Sequence, residues 1–378
     1  MLKKILMVFV IPVFYVIVTL QSIGKSKKYR GELQTGVWHE FNLKGVRNSY
    51  GKPSPVFMRR GTENKLMVFF SGGGASWSEE TAAKPMGIIK MALSINSYYS
   101  PKVWRWMRIL FTGLLSGKPE NPFANWNVLY IPYVTGDFHC GNNEFKYNNG
   151  KKTLYHVGEI NTRLIMDECK KQFPGADALL ICGDRAGAFG CAANAPLVAG
   201  YYPDAPVTVY SDASQLVSHL WKETAANVWK ANDKLVQKVE ESGDLYYNLV
   251  EYACGELGSR ASFLRSNTKY DDVLTTFESD MNGGPHTVTP ASARQFRDGL
   301  IATEKRFMES ELPYFAFITS HNKNKKTGMT QHTMCRNTKS VYFTGDVGVS
   351  LMSWVADAVN GNYRNIGRDE LLTKKTNG

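Results

Sequence analysis

The chain has 378 residues, 43% hydrophobic and 21% charged, with a formal net charge of +11. That composition excludes a disordered or fibrous chain and gives room for one large domain with a sizeable core. Lys3, Lys4, Lys25, Lys27, Lys28 and Arg30 supply six of the positive charges and no acid precedes residue 31, so the body carries +5; without a dense Lys/Arg stripe, nucleic acid is excluded as a partner.

Lys3 and Lys4 precede an apolar run, Ile5 to Leu20, that Pro12 interrupts. Sixteen helical residues span roughly 24 Å, short for a full membrane crossing. Residues 1–30 read as a signal peptide or a signal anchor, with membrane anchoring by residues 5–23 as one option and an extracytoplasmic location, secreted or membrane-anchored, in either case. Residues 31–365 read as a single domain and 366–378 as a tail.

Val56–Arg59 and Leu66–Phe70 are predicted strands, the second a continuous apolar run suited to a buried central position. It ends in Gly72, Gly73 and Gly74. Residues 79–118 read as a helical, aromatic insertion, a lid or cap. Trp126–Val134 is the next strand, followed by a helix over 154–173. From Asp177 a strand leads through a tight turn into a small-residue helix. Val207–Tyr210 is a short strand ending at Ser211 and Asp212. Residues 215–310 read as a second, mostly helical and polar insertion. Tyr314–Thr319 is a late strand, Ser340–Phe343 a short extended piece, and Val349–Val359 a closing helix. Strands alternating with helices predict an α/β fold with a mostly parallel sheet and helical cap insertions. The six cysteines are scattered, with room for one or two disulfides and without metal-ligand spacing; neither a metal nor a cofactor is expected.

The stretch from Asp177 to Gly190 carries the chemistry. A strand runs into the turn Gly183-Asp184-Arg185-Ala186-Gly187 and then a helix, the form of the nucleophile elbow of α/β hydrolases, whose central residue should be Ser. Here it is Arg185, a cation that cannot attack a carbonyl. The rest of an acyl-transfer site is recognisable. Gly73 and Gly74, after a buried strand, and Ala186, directly after the elbow residue, are candidate oxyanion donors through their backbone N–H groups. His332, after the last long strand, is the candidate base. The loop after Tyr314–Thr319 holds no Asp or Glu, so the acid position falls on Asn322, or on Lys323 one residue later, with Asp212 as the alternative acid. Ser76, Ser211 and Cys140 are candidates for a substitute nucleophile.

These pieces identify a resemblance. The Gly72–Trp77 segment, Asn125 through Tyr133, Thr135-Gly136-Asp137, the Gly183–Gly187 elbow, His332-Thr333 and the segment Val347–Gly361 with Trp354 run in the order of the pectin acetylesterase/Notum carboxylesterases, and resemble the bacterial members most closely. The resemblance covers roughly residues 36–361. It implies an α/β-hydrolase-like fold, serine esterase ancestry, and O-acyl esters of sugars or peptides as substrates. It places Arg185 at the nucleophile, Asn322 or Lys323 at the acid, His332 at the base, and Gly73, Gly74 and Ala186 at the oxyanion hole. With two triad positions changed, the expectation is an inactive or impaired esterase that binds an acidic or acylated small-molecule or glycan ligand through Arg185. The alternative is an O-acyl ester hydrolase using another nucleophile.

Overall fold

The structure is a computed structural model that describes residues 24–87, 95–104, 111–240 and 242–373, together with positions 16, 17, 20, 90 and 93. Most of the apolar N-terminal run and part of the 79–118 segment lie outside the described residues, and no described helix is long and apolar enough to cross a membrane.

The strands, in chain order, are β1 (Lys27–Lys28), β2 (Trp38–Phe41), β3 (Val56–Arg59), β4 (Glu63–Phe70), β5 (Trp126–Ile131), β6 (Asn143–Tyr147), β7 (Lys152–His156), β8 (Leu179–Asp184), β9 (Val207–Asp212), β10 (Ala261–Thr268) and β11 (Tyr314–Thr319). Nine of them form one sheet in the order β1-β2-β3-β5-β4-β8-β9-β10-β11, and β6 and β7 form a separate hairpin. Within the large sheet β3 pairs antiparallel with both neighbours and every other pairing is parallel. The expected mostly parallel α/β architecture is therefore present.

Seven helices frame the argument: α1 (Gly158–Gln172), α2 (Ala186–Gly200), α3 (Leu245–Leu257), α4 (Asp272–Met281), α5 (Pro290–Glu309), α6 (Leu351–Val359) and α7 (Arg368–Thr373). The two-residue period of a strand divides the core. Leu66, Val68 and Phe70 of β4 join one apolar cluster with Phe189 of α2 and Phe296 of α5. Met67 and Phe69 point the other way, into a cluster with Trp354 and Val355 of α6. Both faces of the sheet are thus covered, which is why its central strands read as unbroken apolar runs.

Four sequence expectations need correction. Residues 215–310 are not only helical, because β10 lies inside them, between β9 and β11. Its inward polar residues disguise the strand: Arg265 pairs with Glu304 of α5 at 3.0 Å, both fully buried, and Ser266 Oγ, which donates to Asp212, accepts from Tyr210 Oη at 2.7 Å. Ser340–Phe343 is not extended; Thr338–Val341 is a short helical turn capped by Asn337, whose side chain accepts from the N–H groups of Lys339 and Ser340. The segment after residue 365 is not all tail, since Ile366 exchanges backbone hydrogen bonds with β11 and Leu371 is buried. All six cysteines are free.

The Arg265–Glu304 pair is further satisfied by Tyr314, whose hydroxyl donates to Glu304 Oε1 at 2.6 Å. Removing one partner of a buried pair leaves the other charge uncompensated, at a cost of about 3–5 kcal/mol. Glu304→Ala is expected to lose about that much stability in guanidinium denaturation; a loss under about 1 kcal/mol would show that the pair does not hold β10 in the sheet.

Candidate active site

The parallel strands deliver their following loops to one end of the sheet, the end where open α/β sheets bind ligands. The loops after β4, β8, β9, β10 and β11 meet there, around a cavity of about 300 Å³. Gly72, Gly73 and Gly74, Arg185, Ala186, His332 and Arg336 line its polar part, and Met86, Phe138, Phe189, Leu274 and Phe277 are among its apolar walls.

The elbow has the geometry its sequence promises. Arg185 has φ 57° and ψ −127°, a conformation that costs a non-glycine residue about 1–3 kcal/mol unless its surroundings impose it. Here they do. Arg185 N–H donates to Asp212 O at 2.9 Å, and Ala188 N–H donates to Arg185 O at 2.9 Å. Asp184 Oδ1 accepts from Gly72 N–H at 3.0 Å, which ties the oxyanion loop to the elbow. The approach leaves no room for side chains: a Cβ on Gly72 would stand 2.4 Å from Arg185 Cβ, and one on Gly187 would stand 2.1 Å from Phe70 O.

The candidate oxyanion donors lie on the loop after β4 and at the start of α2, and line the cavity. Gly73 O accepts from Ser100 N–H at 2.8 Å and Ala75 N–H donates to Tyr98 O at 2.8 Å, which fixes the loop while the N–H groups of Gly73 and Gly74 find no described acceptor. Ala186 is the first residue of α2, so its N–H is one of the unpaired donors of a helix start. The loop is braced from behind by His139, whose ring Nε2 lies 2.9 Å from Ser71 O. Burial lowers the pKa of this imidazole to about 4, so it stays neutral and donates that bond across the ordinary pH range.

The acid is the largest departure from the sequence reading. His332 Nδ1 lies 2.7 Å from Oδ2 of Asp271, a fully buried carboxylate on the loop after β10. Its other oxygen accepts from Leu274 N–H at 2.9 Å, so Asp271 also caps α4. The loops carrying acid and base are stitched together by Thr330 N–H to Tyr270 O at 2.8 Å and Tyr270 N–H to Thr330 Oγ1 at 2.9 Å. Asn322 sits instead on an exposed turn, its amide donating to Gln331 Oε1 at 3.0 Å, and Lys323 is exposed with Nζ 5.9 Å from the Tyr270 ring. Neither reaches His332. The strand that delivers Asp271 lies within the mostly helical 215–310 stretch; its signal in the sequence is Asp271 itself, a polar residue followed three positions later by Leu274 at the start of an amphipathic helix.

Asp212 is near the base and does a different job. Its Oδ2 accepts from the N–H groups of Met334 and Cys335, both at 2.7 Å, and its Oδ1 from Ser266 Oγ at 2.7 Å. Burial raises its pKa, while the bonds from Cys335, Ser266 and Met334 pull the other way. It anchors the loop that carries His332 and does not touch the imidazole. The substitute nucleophiles are also placed elsewhere. Ser76 Oγ is fully buried beside Thr81 Oγ1 at 3.4 Å, Ser211 Oγ donates to Ala188 O at 2.8 Å, and Cys140 Sγ donates to Phe138 O at 3.0 Å; none lines the cavity.

Arg185 is the anomaly at the centre. Its neighbour Asp184 is engaged by Gly72 and stands 3.6 Å from Arg336, whose guanidinium also lies over the Phe69 and Tyr130 rings. Among the described residues Arg185 makes no side-chain hydrogen bond or ion pair. Candidate oxyanion donors and a candidate base line one cavity, a buried carboxylate is bonded to that base, and the elbow position carries a cation.

Arg185→Ser alone is therefore expected to confer hydrolysis of an activated acetate ester, with no second change at residue 322 or 323. Adding Asp271→Asn to that variant is expected to remove about 10⁴-fold of the gained turnover, as amide replacement of the orienting acid does in serine proteases. Equal rates for the single and double variants would contradict the assignment of Asp271.

A comparison with curated proteins finds no match. The family model described as pectinacetylesterase matches residues 42–267, a span that holds the oxyanion loop, the elbow and Asp212 and stops before Asp271 and His332. That match covers more than half of the chain and agrees with the fold and with the site geometry. The chain belongs to the pectinacetylesterase family.

Proposed function

We propose that this chain is an extracytoplasmic member of the family, of the bacterial type its motifs resemble, in which the serine acyl-enzyme route is lost and the elbow serves as an anion receptor. The observation that carries this reading is the cation at the elbow. Arg185 stands at the start of the 15-residue helix α2, where the helix dipole already places positive potential and unpaired N–H groups. A second positive charge there repels that field, and a bound anion relieves it. A guanidinium also offers a planar fork of donors that matches a carboxylate. The ligand class is a carboxylate-bearing small molecule or glycan, such as a uronate.

A hydrolase using Ser76, Ser211 or Cys140 is not favoured, because those atoms are bonded to other groups outside the cavity. The resemblance and the basic, apolar N-terminus support export; the described residues do not bear on it.

Arg185→Ala is expected to weaken calorimetric binding of trigalacturonate by about 10- to 100-fold, the worth of one charge-assisted hydrogen-bonded pair of about 1.5–3 kcal/mol. Unchanged affinity in the variant would overturn the receptor reading.

A further inference from the structure

We propose that the site retains a serine-independent ester hydrolysis in which water is the nucleophile and the Asp271–His332 pair is the general base. The proposal goes beyond anion binding and does not depend on it. The Asp271 hydrogen bond at 2.7 Å fixes the ring of His332 with Nδ1 as donor, which leaves Nε2 as the acceptor at the cavity that His332 lines. His332 Nε2 has no described partner. The same cavity is lined by Gly73, Gly74 and Ala186, with unpaired N–H groups, and by Arg185, whose guanidinium is a fixed positive charge that a serine elbow lacks. Ser100 brings the only hydroxyl among the described lining residues, and that hydroxyl donates to Lys102 O at 3.3 Å. No lining hydroxyl or thiol is therefore placed to attack a carbonyl, while a base to activate a water and donors to stabilise the resulting oxyanion line the cavity.

The step balances without a further reactant. The oxygen of water bonds to the ester carbonyl carbon as His332 Nε2 takes its proton, and the carbonyl π pair moves onto oxygen. The oxyanion is held by the amide donors and Arg185. Collapse re-forms the carbonyl and breaks the bond to the leaving oxygen, which recovers the proton from Nε2. The products are a carboxylic acid and an alcohol, and no acyl group is attached to the protein. The apolar walls at Met86, Phe138 and Leu274 suit small esters with an apolar or aryl portion.

The test is hydrolysis of p-nitrophenyl acetate by the full chain, read as the rate above buffer, with quenched mass spectrometry. The wild type is expected to turn over with no acetyl adduct, whereas R185S accumulates one. His332→Ala is expected to lose about 10²-fold of the protein-dependent rate, the usual worth of a general base, and to recover part of it with added imidazole. Asp271→Asn is expected to lose rate while keeping the circular-dichroism spectrum of the wild type. A wild type with no rate above buffer, a folded His332→Ala variant as fast as the wild type, or an acetyl adduct on the wild type would each overturn the proposal. None of these outcomes bears on trigalacturonate binding, so the receptor reading stands or falls separately.

Discussion

One buried residue, Asp212, holds the site together. It ends β9, directly beside the elbow strand, and its backbone carbonyl receives the N–H of Arg185 at 2.9 Å. Its carboxylate takes Ser266 of β10 on one oxygen and the N–H groups of Met334 and Cys335 on the other, each at 2.7 Å. A single residue thus touches the elbow, the strand that leads to the acid and the loop that carries the base. A buried carboxylate is costly unless its lone pairs are filled, and filling them from two chain segments, while the backbone carbonyl takes a third, fixes those segments relative to one another.

That constraint explains how the frame of the elbow persists with an arginine at its centre. The strain at Arg185 does not depend on the identity of its side chain. It follows from the Gly72 contact to Asp184, the hydrogen bond to Asp212 and the tight approach of Gly187 to Phe70. Replacing the elbow side chain removes the attacking atom and leaves the backbone, the oxyanion donors and the Asp271–His332 bond in place. What changes is electrostatic. A serine elbow is neutral and borrows its reactivity from the base, whereas this elbow adds a permanent positive charge at a helix start.

Features set by local sequence were legible. The elbow turn, the glycine loop and the ends of β3 and β11 follow from turn chemistry and from periodicity within a few residues. The acid was not, because the strand before it is identified by partners far away. Arg265, Ser266 and Asn267 look like loop or helix surface until Glu304, Asp212 and Tyr210 are brought to them. Without β10, the acid position falls on the loop after β11, at Asn322 or Lys323, which the fold leaves on the surface. Asp212, the alternative acid of the sequence, is held by backbone N–H groups as an anchor, and the imidazole is bonded to Asp271.

The central claim is that a complete base-and-acid pair survives behind a replaced nucleophile. It is tested most directly by proton NMR of the ring-15N-labelled histidines. The account predicts a far-downfield Nδ1 proton from His332, shared with Asp271 and lost in both His332→Ala and Asp271→Asn. A spectrum without that resonance, or one in which Asp271→Asn leaves it unchanged, would contradict the account.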